Sequence, residues 1–207
     1  MKTNEIKVMM LEVCKKLIAE EKRLCELDSV IGDGDHGVTV ARGFSQAQIQ
    51  LESNDYLYPA DIFETVGHML SVTMGGAIGP LLGSFFSAGT KKLKGKENFE
   101  KQDFLLLFEE GLKRIKLLGG AQEGDRTMID ALAPAVYAMK EACKEEKSLN
   151  EVLEAAAAAA VDGAQHTKEM VAKKGRARFL GEKSLGHVDA GAMTISLIIT
   201  GMKDCID

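Results

Sequence analysis

Apolar side chains recur at three- and four-residue spacing along nearly the whole chain, the period of a helix with one buried face. No stretch alternates convincingly as a paired strand would. The spacing predicts a first helix over about 4–26, with Ile6, Met10, Val13, Leu17 and Leu24 along one side. A second runs from about His36 to Leu51 and carries Val40, Phe44 and Ala47. A third follows Pro59-Ala60-Asp61 and ends near Thr73, and a fourth spans about 78–92. The fifth starts near Gln102-Asp103 and carries Phe104, Leu107, Phe108 and Leu112 to about Leu118. The sixth opens with Asp125-Arg126-Thr127 and runs through Ala131, Ala135 and Ala138 to about Glu145. The seventh, about 149–172, holds six consecutive alanines at 155–160, which favour helix and let neighbouring backbones approach closely. The eighth covers about 191–203. Eight helices without a strand pair predict an all-α, antiparallel up-and-down barrel or bundle, in a single domain over 1–207.

The connections divide into two kinds. Those after the first, third, fifth and seventh helices are rich in glycine, charge and hydroxyls: 27–37, 74–80, 118–127 and 173–190. Those after the second, fourth and sixth are plain solvated links such as Ser53-Asn54-Asp55 and Lys94-Gly95-Lys96. Alternate loops of an up-and-down bundle lie at the same end. The four rich loops are therefore expected to meet on one rim, and the plain ones to cap the other end.

Composition narrows the function classes. The 207 residues suffice for a substantial core, and 45% hydrophobic with 28% charged is ordinary for a globular protein. A net charge of −5 argues against sequence-independent nucleic-acid binding, which needs a basic surface. The first residues lack the apolar core of a secretory signal, and no window reaches the ~18 apolar residues of a membrane span. Cys14, Cys25, Cys143 and Cys205 form no CxxC pair and read as free thiols of a reducing cytoplasm.

The chemistry concentrates in Leu27-Asp28-Ser29-Val30-Ile31-Gly32-Asp33-Gly34-Asp35-His36-Gly37. Three carboxylates within eight residues repel one another unless a cation sits among them. Asp28, Asp33 and Asp35 supply the hard oxygen ligands that Mg²⁺ or Ca²⁺ takes. The same residues also read as a solvated loop with aspartate caps. The match to GxGxxG over 32–37 is rejected as a dinucleotide fingerprint, because no strand precedes it and its carboxylates would repel a pyrophosphate. An EF-hand fails for want of a ligand series after Asp33, and no Walker A spacing occurs. The amides from His36 to Thr39, opening the next helix, would form an anion site beside the cation site.

Gly75-Gly76-Ala77-Ile78-Gly79-Pro80 reads as a phosphate or lid contact, or as a tight turn. Gly124-Asp125-Arg126-Thr127 reads similarly, or as a helix cap. Arg176, in a cationic loop, would balance the aspartates and clamp oxygens. His36 and His187 are open to phosphohistidine or general-base roles, or to plain hydrogen bonding; His68 and His166 read as surface or core residues.

Taken together these motifs are identified as those of a known family. Leu27-Asp28 through Gly37, Arg42-Gly43-Phe44, Gly75-Gly76-Ala77 with Gly79-Pro80, and Gly124-Asp125-Arg126-Thr127-Met128 resemble the L subunit of dihydroxyacetone kinase (DhaL). So do Gly175-Arg176-Ala177 to Leu180-Gly181-Glu182, and Gly186-His187 with Asp189 and Gly191-Ala192. The resemblance covers almost the whole chain. It implies an eight-helix barrel carrying ADP or ATP at one end through two Mg²⁺ ions held by Asp28, Asp33 and Asp35. Nucleotide contacts would fall on His36, Gly37, Val38 and Thr39, on Ala77 and Ile78, on Gly119 and Met128, on Arg176, and on Asp189, Ala190 and Gly191. Met128 would face the adenine. Three positions depart from the family pattern: Ile78 for serine, Thr39 for asparagine and Ala190 for proline. Losing the hydroxyl at 78 removes one phosphate contact and leaves the backbone amide.

A chain without a fused substrate domain looks like the phosphotransferase-system version. There an M subunit bearing a phosphohistidine would rephosphorylate bound ADP, and ATP would serve dihydroxyacetone on a K subunit. Both partners would dock on the rim in turn, and the lone chain would be inactive. A homodimer is left open. Competing readings are a subunit of a related triose or tetrulose kinase with exchangeable ATP, and a module whose nucleotide state regulates another protein.

Overall fold

The computed structural model describes residues 1–206. Among them stand nine α-helices and, in place of any strand, one isolated bridge between Lys2 and Asn98. In chain order they are α1 (Thr3–Ala19), α2 (Glu21–Ser29), α3 (His36–Ser53), α4 (Pro59–Thr73) and α5 (Ile78–Ser87). Then come α6 (Lys101–Gly119), α7 (Ile129–Lys144), α8 (Leu149–His166) and α9 (Ala190–Lys203). Around the axis, α1 packs on α3, α3 on α4, and so on through α8 on α9, and α9 returns to α1. The ring is closed and antiparallel. It has the eight members expected, because α1 and α2 are one helix broken at Glu20.

The apolar faces read from the spacing are buried: Ile6, Met10, Val13, Leu17, Leu24, Val40 and Phe44 have no solvent exposure. Two kinds of packing fill the ring. Between α3, α4, α5 and α6 lie seven of the eight phenylalanines, in edge and stacked pairs such as Phe85–Phe108 at 5.3 Å and Phe63–Phe99 at 6.0 Å. Between α7 and α8 the contacts are alanines, with Ala131, Ala135, Ala156 and Ala160 wholly buried. Here Gly163 lies against the Asp130 carbonyl, where a Cβ would overlap it. Pro134, inside α7, has no amide to offer that carbonyl, so the close approach of α8 fills the gap in the helix ladder.

Four boundaries differ from the periodicity. The first helix breaks at Glu20 so that α2 leans over α3 and α9, carrying Asp28 to the rim. The fourth ends at Ser87 and continues only as a 3₁₀ turn at Thr90–Leu93. The sixth begins at Ile129 rather than Asp125, because Arg126 takes φ 61 and breaks the helical path. The Asp130 carboxylate instead takes the amides of Gly124 and Thr127 at 2.5 and 2.7 Å, holding 124–127 as a turn. The seventh stops at His166, followed by a 3₁₀ turn at Thr167–Glu169, with the Thr167 hydroxyl donating to Ala164 O at 2.6 Å. Cys14, Cys25, Cys143 and Cys205 are all free, and no helix is long and apolar enough to cross a membrane among the described residues.

Candidate metal–nucleotide site at the rim

Contacts join three of the four rich loops at one end of the ring, and the fourth is tied there to α3. The Arg176 guanidinium pairs with Asp33, joining the α8–α9 loop to the acidic loop. Lys173 donates its amide to Asp125 O at 3.1 Å, and Lys173 Nζ lies 3.3 Å from the Asp125 carboxylate, joining the α8–α9 and α6–α7 loops. The glycine loop between α4 and α5 is tied to α3 by Arg42, which donates Nε to Thr73 O at 3.0 Å. At the opposite end, Met1 accepts from the Phe99 amide, Lys7 reaches Asn54 O, and Lys101 reaches Lys147 O.

In the acidic loop, Asp28, Asp33 and Asp35 each offer an oxygen within 4.8 Å of the others. Asp28 comes from the last turn of α2, and one of its oxygens accepts the Gly34 amide at 2.8 Å. Its other oxygen stays free for a ligand. Asp33 and Asp35 are exposed, so their charges are solvated as well as partly met by Arg176. Three carboxylates converging on one point, with the nearest cation on a side chain that is 66% exposed, form a donor set suited to a hard divalent ion.

Helix α3 starts at once after Asp35, with no side-chain cap on its first turn. The Thr39 amide is already bound to Asp35 O at 3.0 Å, which removes it from the expected anion site. The amides of His36, Gly37 and Val38 precede the first helical acceptor and stay available for a ligand. Gly37 serves packing rather than ligand approach: a Cβ there would overlap the Glu21 carbonyl and Cys25 of α2. Thr39 is buried, and Ile78 rests its side chain on the core with its amide at the start of α5. The Ile78 side chain has no polar group to stand in for the serine of the family pattern, whereas Thr39 keeps a hydroxyl.

His36 Nε2 lies 2.8 Å from Thr194 Oγ1, whose hydroxyl donates to Ala190 O at 2.9 Å. With that proton committed, the imidazole nitrogen must donate to Thr194, leaving Nδ1 as the acceptor. Burial holds this imidazole below its usual pKa, against the pull of Asp28 and of the Ala190 carbonyl. Its geometry ties α3 to α9. His187 enters through its backbone carbonyl, which accepts from Arg126 Nη2 at 2.6 Å.

On the far side, Asp189 caps α9 by accepting the Ala192 amide at 2.8 Å, and its own amide donates to Thr167 Oγ1 at 2.9 Å. Burial raises its carboxyl to about 6, and Arg126 acts in the other direction. Gly191 lies beside Met128, and a Cβ there would sit 3.7 Å from the Met128 Cβ. Ala190 is buried at the start of α9. Ala77 and Gly119 are exposed at the ends of their loops, with Gly119 beside Leu81 of α5. Arg126 was legible only as part of a motif. Its buried charge is signalled by nothing in the sequence around it.

Comparison with known proteins gives the family and the fold. The DAK2 domain model matches residues 30–204. The chain is 34% identical over 180 residues to the ADP-binding subunit DhaL of the PEP-dependent dihydroxyacetone kinase of Escherichia coli K12, covering 87% of this chain and 86% of that one. It is 36% identical over 186 residues to the corresponding subunit of dihydroxyacetone kinase 1 of Listeria innocua, covering 89% and 88%. The crystal structure of the dihydroxyacetone kinase of Citrobacter freundii with AMP-PNP and Mg²⁺ matches with a TM-score of 0.74 at 32% identity. That match covers 96% of this chain but only 33% of the longer kinase. By its sequence along most of its length and by its all-helical ring, this chain belongs to the DAK2-domain family, among the DhaL-type subunits.

Proposed function

We propose that this chain is the nucleotide-carrying subunit of a dihydroxyacetone kinase. The observation that carries the reading is the convergence of Asp28, Asp33 and Asp35 within 4.8 Å beside the uncapped start of α3. Metal and phosphate held side by side is the usual way a nucleotide polyphosphate is bound. The three carboxylates would hold two Mg²⁺ ions, and the amides of His36, Gly37, Val38 and Ile78 would face phosphate oxygens. Thr39, Ala77, Gly119, Asp189, Ala190 and Gly191 would line the pocket around Met128, which faces the base. Arg176 would leave Asp33 for the polyphosphate, stabilising charge on the transferring group. When bound, the Mg–nucleotide supplies the phosphoryl group, received from a phosphohistidine-bearing M-type partner and given to dihydroxyacetone on a K-type partner. His36 keeps its Nε2 proton on Thr194, so its part is positional, and no side chain of the rim is assigned proton transfer.

This division of labour has a direct test. Purified chain, loaded with ADP and Mg²⁺ and passed through gel filtration, is expected to keep both and to phosphorylate no triose with ATP. Adding K- and M-type partners restores turnover that depends on phosphoenolpyruvate. Triose phosphorylation by the lone chain would rule out the carrier role, and nucleotide lost on the column would favour exchangeable ATP instead.

A further inference from the structure

We propose that Arg126 is a positioning residue of the rim, fastening the 187–189 segment to the start of α7 and so setting the spacing between Met128 and the first turn of α9. The inference rests on the nucleotide reading above. Arg126 is 1% exposed and is the largest fully buried side chain. It also holds φ 61, a left-handed conformation disfavoured for a residue with a Cβ. Its Nε and Nη1 have no hydrogen-bond partner, and Nη1 stands 4.0 Å from Asp189 Oδ1, beyond hydrogen-bond reach. A buried cation with idle donors on a strained backbone is costly in two independent ways. A side chain serving only to fill space would be met more cheaply by an apolar residue of the same volume.

The guanidinium instead reaches out of its own turn to the next loop. Its one hydrogen bond goes to His187 O, and its charge faces Asp189. Asp189 is anchored on the other side by its amide to Thr167 and caps α9 through Ala192. Residues 189–191 are thus held between Arg126 and Thr167, with Gly191 against Met128, two residues along from Arg126 itself. Among the described residues, no hydrogen bond or ion pair joins Arg126 to the three aspartates or to the start of α3. Its loss is therefore expected to act on the base side of the site and to spare the phosphate side.

The test compares Mg–ADP with Mg–pyrophosphate binding to the full chain by calorimetry. Removing the buried cation in Arg126→Met is expected to weaken Mg–ADP by about 30-fold, and Arg126→Lys, which keeps the charge without the fork, by about tenfold. Mg–pyrophosphate affinity should stay within about threefold of the wild type. If Arg126→Met does not fold, Arg126→Lys gives the same comparison, with circular dichroism melts confirming its fold. Equal weakening of both ligands, or unchanged Mg–ADP affinity, overturns the proposal. A wild-type chain that binds no Mg–ADP overturns the nucleotide reading itself.

Discussion

The two ends of the ring differ in how uniformly their helix starts are closed off. At the plain end, α1, α4, α6 and α8 each place a carboxylate three residues in. Glu5, Asp61, Asp103 and Glu151 accept the cap amides of Lys2, Tyr58, Glu100 and Ser148. At the rim, Asp189 caps α9 and Asp130 holds the turn before α7, but α3 and α5 begin with neither a side-chain cap nor such a carboxylate, and Asp33 and Asp35 converge on Asp28 instead, with Asp33 meeting Arg176. Capping a helix start satisfies its orphan donors and stabilises the fold. Leaving it open keeps those donors for something else. On the proposed function, the difference separates an end that serves stability from one that serves binding.

Removing one polar group at each end would sharpen or break this contrast. Asp33→Asn should leave the free protein's melting temperature nearly unchanged, since its partner Arg176 is exposed. It should abolish the rise that Mg–ADP gives the wild type, about 5–10 °C at a hundredfold excess over Kd. A retained rise, read by differential scanning fluorimetry, would mean that the aspartates hold no metal. At the plain end, Ser148→Ala loses the hydroxyl that accepts the Glu151 amide. The cost of about 1 kcal/mol should lower the melting temperature by about 2–4 °C while leaving the Mg–ADP rise intact. A plain-end variant that altered nucleotide binding would collapse the distinction.

The smallest effect concerns Asp189, the cap of α9 at the rim. Burial raises the Asp189 carboxyl to about 6, against an unfolded value of about 3.9. The folded chain therefore binds this proton more tightly than the unfolded chain. The group's contribution to stability is greatest below about pH 4 and is lost as pH rises through about 6. A carbon-detected titration of the side-chain carboxyl should show a midpoint near pH 6. A midpoint near 4 would mean that Arg126 fully offsets the burial.

Much of the ring can be read from the chain itself. Period-3.6 burial, as at Ile6, Met10, Val13 and Leu17, is local chemistry repeated along a helix, so it is visible without coordinates. The alternation of plain and rich loops places the rim, because antiparallel neighbours force alternate connections to one end. Mutual repulsion of Asp28, Asp33 and Asp35 marks the acidic loop for the same local reason. The breaks were less legible. Ala19-Glu20-Glu21 is good helix sequence, and only the need to seat α2 over Gly37 and α9 bends it there. Arg126 likewise sits in a stretch that reads as a helix start, and Asp130 holds the turn from within the following helix.

By itself, then, the sequence determined the helical period, the antiparallel order and the acidic loop, all consequences of contacts within a few residues or of simple topology. Tertiary structure decided which glycines make room for a neighbouring backbone, which helix starts stay uncapped, and which distant cation meets which carboxylate. Those outcomes depend on partners far apart in the chain, such as Arg176 with Asp33 or Arg126 with His187 and Asp189, and no local pattern encodes them.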